Sequence, residues 1–123
     1  MYLNYKANSN ISKKANLEFE NYLNQEVYGT DLSTVINRAV DNNETNNVPK
    51  DNKGIYVDNK ENSIEIEIKM TDNDTIYPME TFYNNGIQEF INYYGSIKFK
   101  CVDIKYHENT HKVKYMLFEQ ITS

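Results

Sequence analysis

The strongest periodic signal lies just after residue 30. Leu32, Val35, Ile36, Ala39 and Val40 fall at i, i+3, i+4, i+7 and i+8, which is one apolar stripe on a helix. Thr30 stands where an N-cap belongs, and Asp31 puts negative charge in the first turn. The stripe ends at Asp41. A weaker stripe of Ala15, Phe19, Tyr22, Leu23 and Val27 predicts an earlier helix from Ser12 to Tyr28, closed by Gly29 as its C′ residue. Residues 1–10 are polar with scattered aromatics and read as a loose arm. Residues 41–53 are rich in Asn, carry Pro49 and offer only Val48 as an apolar side chain, so they read as a flexible loop.

The period then changes from 3.6 to 2. Gly54 opens a short strand pattern of Ile55, Tyr56 and Val57, and 58–62 reads as a turn. Ile64, Ile66, Ile68 and Met70 alternate with Glu65, Glu67 and Lys69, the signature of a strand with one dry and one wet face. Ile76, Tyr77 and Met79 suggest a third strand that Pro78 confines to an edge. A third helix is expected from an Asn84 cap to Gly95. It carries Tyr83, Ile87, Phe90, Ile91 and Tyr94 on one face, with Gly86 weakening its first turn. Two long strand patterns, 96–106 and 112–121, close the chain. In the first, parity switches between Cys101 and Val102, which predicts a bulge. In the second, Val113, Tyr115 and Leu117 share one face, opposite Met116 and Phe118.

The order α-α-β-β-(β)-α-β-β specifies an α+β fold. It implies an antiparallel sheet of four to five strands, with about three helices packed mainly on one face. The core is expected from Leu32, Val35, Ile36, Ile64, Ile66, Ile68, Phe90, Ile91, Phe99 and Leu117. At 123 residues the chain is read as a single domain, 1–123, large enough to bury roughly two-thirds of its unfolded surface without disulfides or metal.

Composition narrows function mainly by exclusion. The net charge is −5. The basic residues Lys98, Lys100, Lys105, Lys112 and Lys114 alternate with apolar ones, which suits a solvated strand face and not a nucleic-acid patch. Asn is the commonest residue at 19 copies and Arg38 is the only arginine, a bias expected of an AT-rich bacterial genome. Cys101 is the only cysteine, so no intrachain disulfide forms. No apolar run has the length of a membrane span or a signal peptide, so membrane contact is expected only through a segment absent from this chain.

One motif carries chemistry on its face. His107-Glu108-Asn109-Thr110-His111 fits H-E-x-x-H, which holds zinc when a helix sets both imidazoles on one side. Here the flanks alternate as strands, Asn109-Thr110 sits where a hairpin turns, and no further His exists to act as a third ligand. A hairpin loop is the expectation, and a zinc peptidase on His107, Glu108 and His111 is the outlying alternative. Asp72-Asn73-Asp74 opens like a calcium loop, but Tyr77 replaces the glycine at position 6 and Tyr83 the glutamate at position 12, so it reads as a turn. Cys101 sits in an apolar strand and is expected to be inert. The eleven tyrosines, with Tyr93-Tyr94 and Tyr2/Tyr5 foremost, serve either the core or a contact surface. No catalytic, cofactor-binding or metal-binding residue is assigned.

The stretches VYGTDLSTVINRAVDNN and FKCVDIKYHENTHKVKYMLFEQI resemble small uncharacterised clostridial-type proteins that carry an N-terminal membrane helix and a short pilin-like α+β domain. The resemblance implies a non-enzymatic structural or binding domain, held outside the cytoplasm by an anchor that would precede Met1. A cytoplasmic immunity or antitoxin-like protein that covers a partner protein is the alternative. Both imply a protein partner or self-association.

Overall fold

The computed structural model describes residues 19–71 and 75–121. Its elements run β1 (Glu26–Tyr28), α1 (Gly29–Thr45), β2 (Glu65–Lys69), β3 (Ile76–Pro78), α2 (Met79–Asn84), α3 (Ile87–Tyr94), β4 (Lys98–Tyr106) and β5 (Val113–Gln120). The five strands form one sheet in the order β1-β4-β5-β2-β3. The fold is α+β, as the patterning implies, with three named helices among the described residues.

The sheet is mixed, which corrects the expectation of an antiparallel one. β2 pairs with β5 in parallel, Ile66 beside Met116 and Ile68 beside Phe118, while the other three pairings are antiparallel. The cause is the connection: β3, α2, α3 and β4 all intervene before the chain turns at the β4–β5 hairpin and inserts β5 beside β2. Alternation reports which face a residue occupies but says nothing of strand direction. The bulge expected in β4 is present between Cys101 and Asp103.

One face of the sheet is dry. Ile66, Ile68, Phe99, Cys101, Met116 and Phe118 are fully buried there, against Leu32, Val35, Ile36 and Ala39 of α1. The short helices close the same core with Met79, Phe82 and Phe90, the last two rings 4.9 Å apart. Leu117 and Ile91 are not in this core. Leu117 stands on the opposite face, because the parallel register puts Met116 and Phe118 inward.

Several boundaries move, each for a local reason. The expected helix 12–28 does not extend through its described part: 26–28 form β1, which pairs with Lys98–Lys100 at the sheet edge. Ser12 and the arm 1–10 lie outside the described residues. Gly29 does not end a helix; it begins α1 at a close approach. A Cβ there would sit 1.9 Å from the carbonyl oxygen of Tyr94, where the Gly29 N–H donates to Ile97 O at 2.8 Å. Thr30 caps nothing in its own helix. Its hydroxyl donates to the Gly95 carbonyl, 3.0 Å away, so the start of α1 and the end of α3 are joined.

Helix α1 runs four residues past Asp41. It closes at Asn47, whose φ is +55°, with Val48 N–H bonded to Asn43 O and Asn47 N–H to Glu44 O. This is the Schellman arrangement with Asn in place of Gly. Residues 54–57 form no strand, only a single bridge between Lys50 and Tyr56. The expected third helix is two: Asn84 ends α2, and Gly86, at φ +102°, breaks the chain before α3.

Asn43 explains why the weak helix formers 42–45 stay helical. Its side-chain amide is fully buried, donates to Ile64 O at 2.8 Å and accepts from Ile64 N–H at 2.9 Å. Leaving both partners unsatisfied in the core has a larger effect than propensity. We expect Asn43→Ala to lose about 2–4 kcal/mol in urea melts, comparable to the about 2–5 kcal/mol of a cavity-forming Ile36→Ala. A loss under about 0.5 kcal/mol for Asn43→Ala would show that this clasp does not hold the entry to β2.

Candidate functional site

Segment 56–64 leaves the loop after α1, crosses the end of the sheet and enters β2. Its turn is built by side chains. The Asn59 amide oxygen accepts the N–H groups of Glu61, Asn62 and Ser63, each at 2.9 Å, and Asp58 Oδ1 accepts Lys60 N–H at 2.7 Å. Between this segment and the ends of β4 and β5 lies a cleft of about 360 Å³. Tyr56, Asp58, Ser63, Ile64, Glu65, Lys105, Lys114 and Tyr115 line it.

The H-E-x-x-H segment forms the β4–β5 turn beside this cleft, not a helix, as the flanking alternation predicts. The two imidazoles part company. His111 is exposed at φ +60°, whereas His107 is 1 % exposed. Burial of His107 is something the hairpin reading did not anticipate. Its Nε2 lies 2.6 Å from Ser63 O, and because a carbonyl only accepts, this nitrogen carries the hydrogen. Its Nδ1 is 3.7 Å from Asp58 Oδ1, and Lys114 Nζ is 3.9 Å from Asp58 Oδ2. Thr110 adds a hydrogen bond to Glu61 O at 2.5 Å. The motif's residues thus staple segment 56–64 to the hairpin. Glu108 is exposed. Among the described residues, no group of three or more His, Cys, Asp and Glu side chains is placed to hold a metal ion.

Glu65, which lines the cleft and which patterning reads as ordinary strand polarity, forms a carboxyl pair with Glu80 of α2. Glu80, 3 % exposed, accepts the Tyr56 N–H on Oε2 at 3.1 Å. Glu65 packs against it. Both Glu65 oxygens and Glu80 Oε1 are buried, and no protein donor meets them in good hydrogen-bond geometry. Burial pushes the Glu65 carboxyl far above the usual range. The hydrogen bond to Glu80 and its charge add to this, and the Met79 N–H opposes it. Taking a carboxylate out of water beside a second carboxyl disfavours its charged form, which is why the Glu65 carboxyl stands so high.

The remaining groups are held rather than reactive. Tyr115 donates to Glu67 Oε1 at 2.7 Å, and Tyr56 donates to Glu44 Oε2 at 2.6 Å. Burial, with those bonds, raises both phenols above their ordinary range. Lys105 Nζ lies 4.9 Å from the centre of the Tyr115 ring. Cys101 is fully buried on the core face, away from the cleft, and burial pushes its thiol up to about 11. Such a thiol is a poor nucleophile at neutral pH. Of the other singled-out residues, Tyr93 is exposed and Tyr94 packs on Phe90. Tyr2, Tyr5 and Asp72-Asn73-Asp74 lie outside the described residues. No described helix is long and apolar enough to cross a membrane.

The raised Glu65 carboxyl has a thermodynamic consequence. Glu65 keeps its proton in the fold above the pH at which the unfolded chain releases it, near 4.3. Its contribution is therefore fully present below that pH and is lost as pH rises toward the higher folded value. Glu65→Gln retains a donor toward Glu80 but has no proton to lose. Between pH 5 and pH 8 the variant should gain on the parent by at most about 1.4 kcal/mol per pH unit, read as the difference between two urea-melt series. Parallel curves would mean that Glu65 is ionised in the folded protein.

Comparison with family models, with curated proteins and with solved structures finds no match to the chain, so what it does must be read from this cleft and the surfaces around it.

Proposed function

We propose that this chain is a non-enzymatic protein-binding domain that engages its partner at the cleft between segment 56–64 and the β4–β5 hairpin. The observation that carries the reading is the composition and support of that cleft. Lys105, Lys114 and Asp58 present charges of both signs beside the Tyr56 and Tyr115 rings, on segments tied down by His107, Asn43 and Asn59. Pre-positioned aromatic and charged side chains are what a partner surface needs, because little order is left to impose on binding. The chemistry of the lining points the same way. Its tyrosines are bonded to carboxylates, its one strongly perturbed carboxyl is turned to Glu80, and the chain's thiol is on the other face. The resemblance noted above would set such a domain on the outer side of a bacterial membrane, and nothing in the cleft depends on that placement.

The test uses short synthetic peptides of mixed charge as probes, followed by backbone amide shifts. Binding should move amides of 56–64 and 105–115, and Lys105→Ala with Lys114→Ala should abolish those shifts while the fold persists. Shifts confined to other surfaces would remove the cleft from the account. Hydrolysis of the peptides that is lost in Glu108→Ala would replace it with a peptidase.

A further inference from the structure

The face of the sheet opposite the core carries an ordered row of charge. The register aligns Glu26 of β1 with Lys100 of β4, Lys100 with Glu119 of β5, and Glu119 with Lys69 of β2. Read across four neighbouring strands, the row is minus, plus, minus, plus. Reversed, it is plus, minus, plus, minus. A sequence of charges that becomes its own complement on reversal has a specific geometric meaning. Two copies laid face to face about a two-fold axis parallel to the strands, between β4 and β5, place every charge opposite its counter-charge. Lys100 then meets the partner's Glu119, and Glu26 meets the partner's Lys69.

The adjoining row, Asp103, Leu117 and Glu67, obeys the same operation. The two-fold axis sets Asp103 opposite the partner's Leu117, so no two like charges are opposed there. The row beyond it, Lys105, Tyr115 and Glu65, lines the cleft, with Lys105 over its own Tyr115 ring, and takes no part in the contact. Aligned packing of two twisted sheets keeps strands within about 30° of one another, so the centre of the row matches best.

We infer that this sheet face is the contact surface of a symmetric homodimer, with a second copy of this chain as its occupant. Isologous two-fold contacts are the commonest way a chain pairs with itself. The dimer is weak. With strands about 4.8 Å apart, four strands and five residues of each span roughly 300 Å², well below the about 800 Å² per partner of a stable complex. Its affinity therefore depends on charge and must fall with salt. The inference does not rest on partner binding at the cleft: Glu26, Lys100, Glu119 and Lys69 of the charged row are not among the cleft's lining residues, whereas Lys105, Tyr115 and Glu65 are.

Sedimentation equilibrium of the full chain tests it. The parent should associate at about 0.01 M ionic strength, where the Debye length is about 30 Å, and dissociate at about 1 M, where it is about 3 Å. Lys100→Glu alone and Glu119→Lys alone should each weaken association at least tenfold, since each sets like charges opposite. Mixing the two variants should restore a dimer, because each supplies the charge the other has lost. A parent that stays monomeric at millimolar concentration in low salt overturns the proposal without recourse to any variant. So does a dimer indifferent to salt, or a mixture that associates no better than its components. Circular dichroism of each variant establishes that it is folded. If either is not, Glu26→Lys and Lys69→Glu, which sit at the ends of the same row, take their place in the mixing experiment.

Discussion

Two hydrogen bonds between the Asn43 side chain and the backbone of Ile64 fix more of this molecule than any other polar contact. They join the last turns of α1 to the first residue before β2, across the mouth of the core. On one side of that clasp the helix continues to Thr45 and closes on Asn47. On the other, β2 enters the sheet with Ile64, Ile66 and Ile68 facing inward. The segment between, 46–63, is then held at both ends, and its last third becomes one wall of the cleft. An apolar residue at 43 would leave the Ile64 N–H and C=O without partners in a dry place, which is why a polar side chain is buried at the centre of an otherwise apolar seam.

Much of the fold was legible in the sequence because one-sided burial leaves a period. The stripe from Leu32 to Val40, the alternation of 64–70, the parity switch at Cys101 and the edge position forced by Pro78 all reappear in the structure. What stayed hidden is what a period does not encode. Strand direction has no trace in alternation, so the parallel pairing of β2 with β5 was unreadable, and with it the inward choice of Met116 and Phe118 over Leu117. The continuation of α1 through 42–45 was hidden for a different reason. Asn is a poor helix former, and only the long-range clasp to Ile64 makes the helix worth extending.

The site was less legible than the fold. The hairpin through His107 to His111 follows from flanking alternation, but the burial of His107 does not. Its ring goes in because Ser63 offers a carbonyl 44 residues away. Glu65 reads as one of three polar residues on a wet strand face. In the structure α2 begins beside it and brings Glu80, so two carboxyls meet where water is excluded. A rule about Glu in a strand would place it in solvent. Burial first, and then the tertiary neighbour, push this carboxyl above its usual range.

The same mixed topology that hid these features creates the order on the outer face. Glu119 stands between Lys100 and Lys69 because β4 approaches β5 from one side in antiparallel register and β2 approaches from the other in parallel register. Cross-strand neighbours of opposite sign support a sheet by a few tenths of a kcal/mol up to about 1 kcal/mol each, so the row is first of all an internal stabiliser. Its symmetry follows from the same alternation: over an even number of strands, opposite signs at every cross-strand step make the row its own complement on reversal. A row of plus, minus, minus, plus would set like charges side by side on its two central strands and would also oppose them on reversal. One alternation therefore serves twice, giving each strand a neighbour of opposite sign and giving the whole row the signs that a second, reversed copy would match.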